Sequence, residues 1–361
     1  KKIALAVVIV VVLASVAGIV LLKGDDGPKH ETVDIMQSNG ETVAVEVPVM
    51  KFCTVNQNAA EFSTIMGVND RCVGLNGSLV KNANEAWYAD VKDIGDQKTP
   101  SAEAILASGT NILIAFYNSS NALTNYDALC EAGIKVILLD LYGYEHQADD
   151  LIEFAKLFSD KPAAMEAAEK YKAYFEGIVE TIKTATADLK DEDKKTFIGT
   201  MSTTGSGKYW NKNAEIVGLL TEVCGLRNSV DDIEKSQGKV PTSSSSSTSV
   251  ESILKYDDET GIDLFIVTTS AKSYGELTIV IENYQVKFPA MKDMLDTIDA
   301  VQSVDSRATS GPRCFVGMVY FVTLEYPELE EKMGGLTVQK VIDDYNDMFG
   351  TEWPNTNPFD E

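Results

Sequence analysis

Histidine is almost missing from this 361-residue chain, which has only His30 and His146. Hydrolases built on a histidine base and metal sites built from several histidines therefore have almost nothing to work with. Cysteine is sparse as well. Cys53, Cys72, Cys130, Cys224 and Cys314 are widely spaced, odd in number and contain no C-x-x-C pair. That pattern argues against a disulfide-stapled fold and against a zinc cluster. Small buried hydrophobes are the expected role for most of them, with a single disulfide left open. Positive charge is in deficit, with 31 basic against 55 acidic residues and a net charge of −24. Such a surface repels phosphate backbones, which disfavours nucleic-acid partners. The run at residues 203–208, Thr-Thr-Gly-Ser-Gly-Lys, lacks the G-x-x-x-x-G-K-[ST] spacing of a phosphate loop, and Tyr209 stands where the hydroxyl residue belongs. Carboxylates are abundant, but no nucleophile, base and orienting group fall into a set, so neither an enzyme nor a cofactor is expected.

The longest uncharged apolar run is residues 3–22, broken only by Ser15 and Gly18. At about 1.5 Å per residue it spans roughly 30 Å, one hydrocarbon core. Lys1 and Lys2 precede it and Asp25 and Asp26 follow, which puts the body of the protein outside the cytoplasm. Three readings fit the segment: a retained membrane anchor, a cleaved signal peptide with Ser15, Val16 and Ala17 at the cleavage site, or the assembly helix of a pilin-like filament. Residues 23–40, polar and containing Gly24, Gly27 and Pro28, read as a tether.

The remaining length suits an α/β protein of more than one domain. Residues 42–47 alternate as a half-buried strand does. Residues 112–116 and 136–139 are short apolar runs of the buried parallel-strand type, with helical patterns between them. Residues 149–158 read as one helix. From Pro162, a residue suited to a first helical turn, Tyr171, Phe175, Ile178, Ile182, Ala185 and Leu189 recur at helical steps. They predict an amphipathic helix of about 28 residues, or roughly 40 Å. The expected architecture is two Rossmann-like lobes, 41–158 and 195–350, joined by one long rigid helix within 159–194 and preceded by a transmembrane helix at 1–22. A polar tail covers 351–361. The Ser/Thr stretch at 242–249 is expected to be a mobile surface loop.

An internal repeat supports the two lobes. Ser101, Glu103, Ile105 and Leu106 match Ser249, Glu251, Ile253 and Leu254 in the pattern S-x-E-x-I-L. Each copy opens a short helix, with Ser suited to the cap and Glu to the first turn. Gly109 and Gly261 follow, then the apolar runs 112–116 and 264–267, then polar loops at 117–120 and 268–270. Those loops fall at the carboxyl ends of parallel strands, where open α/β sheets bind ligands.

In this order the residues resemble the family of periplasmic binding proteins that deliver iron-siderophores, haem, cobalamin and some oxyanions to ABC importers. Residues 66–74, with Asp70 and Arg71 at their centre, are similar to its "LGA-D-R-VVG" segment. Ile94 and Gly95 match its "VG", residues 133–136 its "GIPVV", Gly225 and Asn228 its "GG-x-N", Ala300 and Val301 its "AV", and Tyr326, Pro327 and Glu328 its "YPE". The similarity runs from about residue 42 to 350. Thr110-Asn111 and Ile262-Asp263 depart from its "PD", and Leu226 replaces a glycine, so the resemblance is to a divergent branch and does not carry ligand identity.

The resemblance implies a surface-held solute-binding component that captures a metal chelate or oxyanion between its lobes. It also implies that Glu103 and Glu251 dock on the permease. Candidate ligand contacts on the strand-end loops are Asn56, Gln57, Trp87, Tyr88, Tyr117 and Asn118 in the first lobe, and Lys208, Tyr209, Trp210, Tyr274 and Arg313 in the second. Aromatic faces suit a macrocycle or chelate, and the arginine fork suits a carboxylate or oxyanion. A filament or surface-layer subunit with the same kind of head is the alternative, self-assembling through residues 3–22.

Overall fold

The computed structural model describes residues 31–82, 91–118, 121–201, 207–269, 277–298 and 300–351. The apolar segment 3–22, Trp87, Tyr88, Tyr274 and the tail beyond 351 lie outside the described residues. Among the described residues no helix is long and apolar enough to cross a membrane.

The chain begins with an antiparallel hairpin of β1 (Glu31–Met36) and β2 (Thr42–Val47). Residues 31–36 thus form a strand where the sequence reads as tether, because Val33 and Ile35 alternate with polar residues and pair with Val45 and Val43. The first lobe follows, with β3 (Phe52–Thr54), β4 (Cys72–Leu75), β5 (Lys92–Asp93), β6 (Ile112–Ala115) and β7 (Lys135–Leu138). All are parallel, in the order β5-β4-β3-β6-β7. The second lobe contains β8 (Thr196–Thr200), β9 (Lys208–Trp210), β10 (Arg227–Asn228), β11 (Ser245–Ser247), β12 (Leu264–Thr269) and β13 (Ala300–Asp305). Its parallel sheet runs β10-β8-β12-β13. β3 and β8 therefore hold equivalent places, as do β6 and β12, so the two sheets reverse their winding direction at matching points.

β9 and β11 make a separate antiparallel ribbon, Ser245 opposite Trp210 and Ser247 opposite Lys208. The mobile loop expected at 242–249 is thereby corrected in its centre. Backbone pairing does not depend on side-chain type, and Asn211 fixes the ribbon further by donating from Nδ2 to the Ser246 hydroxyl at 2.6 Å.

Alternation within the buried strands gives each sheet two apolar faces. In the first lobe Cys53, Leu113, Ala115 and Val136 meet Ile105 and Leu129 of the flanking helices in one cluster. In the second, Ile198, Phe265 and Val267 meet Ile253 and Tyr256 in another. The opposite faces, Phe52, Ile114 and Ile137 from one sheet and Phe197, Leu264 and Ile266 from the other, belong to a single continuous core. The long helix Pro162–Thr186 supplies much of that core. Its buried positions Ala164, Ala168, Tyr171, Phe175, Ile178, Ile182 and Ala185 alternate steps of four and three, the stripe expected from the sequence. Leu189 lies just beyond the helix end and packs partly buried against the same core.

All five cysteines are free. Burial pushes the thiols of Cys53, Cys72 and Cys314 up to about 12, which leaves them protonated and inert. Cys130 differs in being exposed.

Candidate functional site: the strand-end loops between the lobes

At the carboxyl edge of the first sheet, three loops are tied together by two polar side chains. Asn56 caps the helix Gln57–Ile65 by accepting from the Asn58 amide at 2.9 Å. Its Nδ2 donates to the carbonyls of Leu139 and Asp140 at 2.9 and 2.8 Å, joining the loop after β3 to the loop after β7. The Asp140 carboxylate accepts from the Tyr117 amide at 2.7 Å and the Asn118 amide at 2.8 Å, which adds the loop after β6. The loops thus converge at the switch point between β3 and β6, with Tyr117 half exposed at the rim.

The hairpin tip supports this rim from behind. Ser38 donates its amide to the Leu138 carbonyl at 2.9 Å, and the Leu138 amide donates to Gln37 Oε1 at 2.9 Å, so the open edge of β7 is covered. The Ser38 hydroxyl accepts from the Asp140 amide and donates to Asp150, which also accepts from the Leu141 amide. Burial raises the Asp150 carboxyl, and these two donors offset only part of that rise.

The sequence candidates separate by burial. Gln57, Tyr117, Asn118 and Lys208 retain access to solvent, whereas Asn56 is fully buried and spends its amide on the loops themselves. Tyr209 and Trp210 do not reach open space. Trp210 fills the room that Gly199 leaves, where a Cβ would lie 2.2 Å from its ring. Tyr209 is enclosed with Ile198, Phe265 and Tyr284. The expectation that Arg313 presents a fork to a ligand is likewise corrected, because it is buried and its Nε donates to Glu61 Oε1 at 2.5 Å. Tyr345 donates to the same oxygen at 2.7 Å. Sequence reading missed Asp140 and Glu61, since neither sits in a local motif.

Glu103 and Glu251 are exposed in the first turns of the helices Ala102–Ala107 and Val250–Thr260. The expected serine caps are both present, Ser101 Oγ accepting from the Ala104 amide and Ser249 Oγ from the Ser252 amide, each at 3.2 Å. Gly109 at φ +80° and Gly261 at φ +87° then turn the chain into β6 and β12. A helix that leads into a parallel strand begins near the strand's carboxyl end, so each glutamate lies at the carboxyl-edge end of its own sheet.

Contacts between the lobes gather beside the loop after β7. The Tyr144 hydroxyl donates to Glu222 at 2.6 Å, and the Glu215 carboxylate lies against Gly143, where a Cβ would be 2.6 Å away. Residues 306–313 cross from β13 to the first lobe. Gly311 donates its amide to the Tyr142 carbonyl at 3.0 Å, and the Tyr171 hydroxyl donates to the Pro312 carbonyl at 2.9 Å. A groove of about 480 Å³, lined by Tyr320, Leu324, Pro327, Leu336 and Val338 among others, involves none of the strand-end loops.

No protein-family model matches the chain, and no curated protein sequence does. Solved structures do match. A periplasmic solute-binding protein from Veillonella parvula superposes with a TM-score of 0.67 at 13% identity, covering 91% of this chain and 97% of that one. The molybdate periplasmic binding protein of a Haemophilus influenzae ABC transporter, bound to molybdate, gives 0.66 at 13% identity, with 89% and 99% covered. The periplasmic haem-binding protein of a Roseiflexus species gives 0.57 at 14% identity, with 77% and 98% covered. At these identities the likeness is one of fold, and the fold is that of the periplasmic solute-binding proteins.

Proposed function

We propose that this chain is the extracytoplasmic solute-binding component of an ABC importer, taking a metal chelate such as an iron-siderophore, haem or corrinoid, or an oxyanion, between its lobes and passing it to a permease. The observation that carries the reading is the matched pair of parallel sheets, β3-β6 in one lobe and β8-β12 in the other, bridged by the single helix Pro162–Thr186. Solved proteins of this fold include ones whose ligands are haem and molybdate. Gln57, Tyr117, Asn118 and Lys208 are the proposed ligand contacts among the described residues, joined by Trp87, Tyr88 and Tyr274. Glu103 and Glu251 are proposed to engage the permease, and residues 3–22 to hold the protein at the membrane.

The test is a titration of haem, cobalamin, ferric siderophores, molybdate and tungstate, followed by tryptophan fluorescence and melting temperature. One class is expected to saturate and stabilise the protein, and silence from all of them overturns the reading. Glu103→Ala combined with Glu251→Ala is expected to leave affinity intact and abolish uptake. Normal uptake by that variant removes the docking role.

A further inference from the structure

A bound oxyanion needs donors, and at the carboxyl edge of the first sheet the donors are already engaged. The segments that follow β3, β4, β6 and β7, residues 55–56, 76, 116–125 and 139–146, contain neither lysine nor arginine. Backbone amides that could replace them end on oxygens of this chain. Asn56 Oδ1 closes the N-terminus of the helix Gln57–Ile65, accepting from the amides of Asn58 at 2.9 Å and Ala59 at 3.4 Å. Asn76 Oδ1 does the same for the helix Gly77–Asn82, accepting from the Leu79 amide at 3.1 Å and the Ser78 hydroxyl at 2.7 Å. The Leu141 amide ends on Asp150 at 3.0 Å, and the Asp140 amide on the Ser38 hydroxyl at 2.8 Å. The guanidinium of Arg313 is held by Glu61. Lys208, the one cation among the described contacts, and Arg307 of the returning segment also have partners within the protein. Asp140 is the converse case. The amides of Tyr117 and Asn118 and the Asn118 Nδ2, the last at 3.2 Å, all converge on its Oδ1. An ionised carboxylate accepts through both oxygens, and among the described residues none donates to Oδ2 of this half-buried side chain.

We infer that the cleft takes a cationic or neutral, donor-rich ligand, held through Asp140 Oδ2, and turns away free oxyanions and polyanionic chelates. The inference rests on the solute-binding reading and narrows its ligand class. The carboxylate of Asp140 sits on two consecutive strand-end amides, the seat that a bound oxyanion would take. An anionic ligand would have to displace a group that is covalently in place, or lie beside it as a like charge. A ligand with an amine or amide donor meets the reverse situation. It finds an acceptor that is charged and already oriented by three donors, and a hydrogen bond to a charged acceptor is stronger than one between neutral groups. Tyr117, half exposed at the same rim, adds an aromatic face without adding charge.

Probes sorted by charge test the inference on the full chain, read by tryptophan fluorescence and melting temperature. One group holds ferrioxamine B, cationic through its pendant amine, its neutral N-acetyl derivative, and the cationic aquo and neutral cyano forms of cobalamin. The other holds molybdate, tungstate, haem with its propionates, and the polyanionic ferric enterobactin. Saturation is expected only in the first group, with the affinity of a cationic probe falling as NaCl is raised. Asp140→Asn keeps an acceptor for the strand-end amides and removes the charge. It is expected to weaken a cationic probe by about tenfold and its neutral counterpart much less. Saturation by molybdate, tungstate, haem or ferric enterobactin overturns the inference and leaves the importer reading in place. Equal losses for the cationic and neutral forms overturn it as well, since a merely structural role for Asp140 would weaken both alike. Silence from every probe overturns the importer reading, and the inference falls with it.

Discussion

Arg313 and Glu61, 252 positions apart in the chain, form a buried ion pair that fastens the segment returning from β13 to the first helix of the opposite lobe. Tyr345 of the last helix shares the same carboxylate oxygen. A buried pair of this kind contributes little beyond what apolar residues of the same shape would, but breaking it strands a charge. Glu61→Ala is expected to cost about 3–5 kcal/mol in urea unfolding, and the double change Glu61→Leu with Arg313→Met much less. Equal losses in the single and double variants would refute this account.

Gly311 supplies a second fastening at the same junction. It has φ +66°, and a Cβ there would lie 2.5 Å from Asn58 Oδ1. Gly238 has nearly the same φ, +65°, with nothing within 4 Å. Gly238→Ala should cost about 1 kcal/mol for the left-handed backbone alone. Gly311→Ala should cost more, since the buried Asn58 side chain must shift to admit the Cβ. Matching denaturation midpoints for the two would remove the steric argument.

The caps Ser101 and Ser249 are equivalent and distant. Each change to Ala is expected to cost about 0.5–2 kcal/mol, and the double variant the sum of both, because the sites share no partner. Marked non-additivity in thermal unfolding would mean that the two helices communicate.

Asp160 gives the fold a pH dependence. Arg71 binds its two oxygens at 2.8 and 2.7 Å and also donates to the Val49 carbonyl at 2.9 Å. The guanidinium holds the Asp160 carboxyl below the ordinary carboxylate range. Its stabilisation is therefore complete above the unfolded value, near 4, and is lost as pH falls through the depressed folded value. Asp160→Asn should be less stable than wild type at neutral pH, and the two should converge in strong acid. A difference in melting temperature that stays constant with pH would contradict the pairing.

What the sequence makes legible here is what depends on near neighbours. The caps at Ser101 and Ser249, the glycines after their helices and the stripe from Ala164 to Ala185 are all set by residues within a turn or two. The place of Asn56, Tyr117 and Asn118 on strand-end loops is also readable, since they follow apolar strands. The role of each side chain within those loops was not. Asn56 is consumed by carbonyls 83 and 84 residues away, and Asp140 organises the rim through amides 22 and 23 residues upstream. Arg313 looks like a ligand fork in a Gly-Pro loop until Glu61 is placed against it. The β11 strand was hidden for a different reason, because a run of serines has no hydrophobic period to betray its pairing with β9.

The shared core has a consequence for how the molecule must be made and broken. Two lobes with only their own cores would melt separately and survive being cut apart, but these lobes have a third core in common. Here Phe52 and Ile114 of one sheet, Phe197 and Ile266 of the other and the stripe of the connecting helix are enclosed together. A cut near residue 195 would leave both fragments with an apolar face and no cover. By topology the two sheets are a matched pair; as a folding unit the two halves are expected to unfold together.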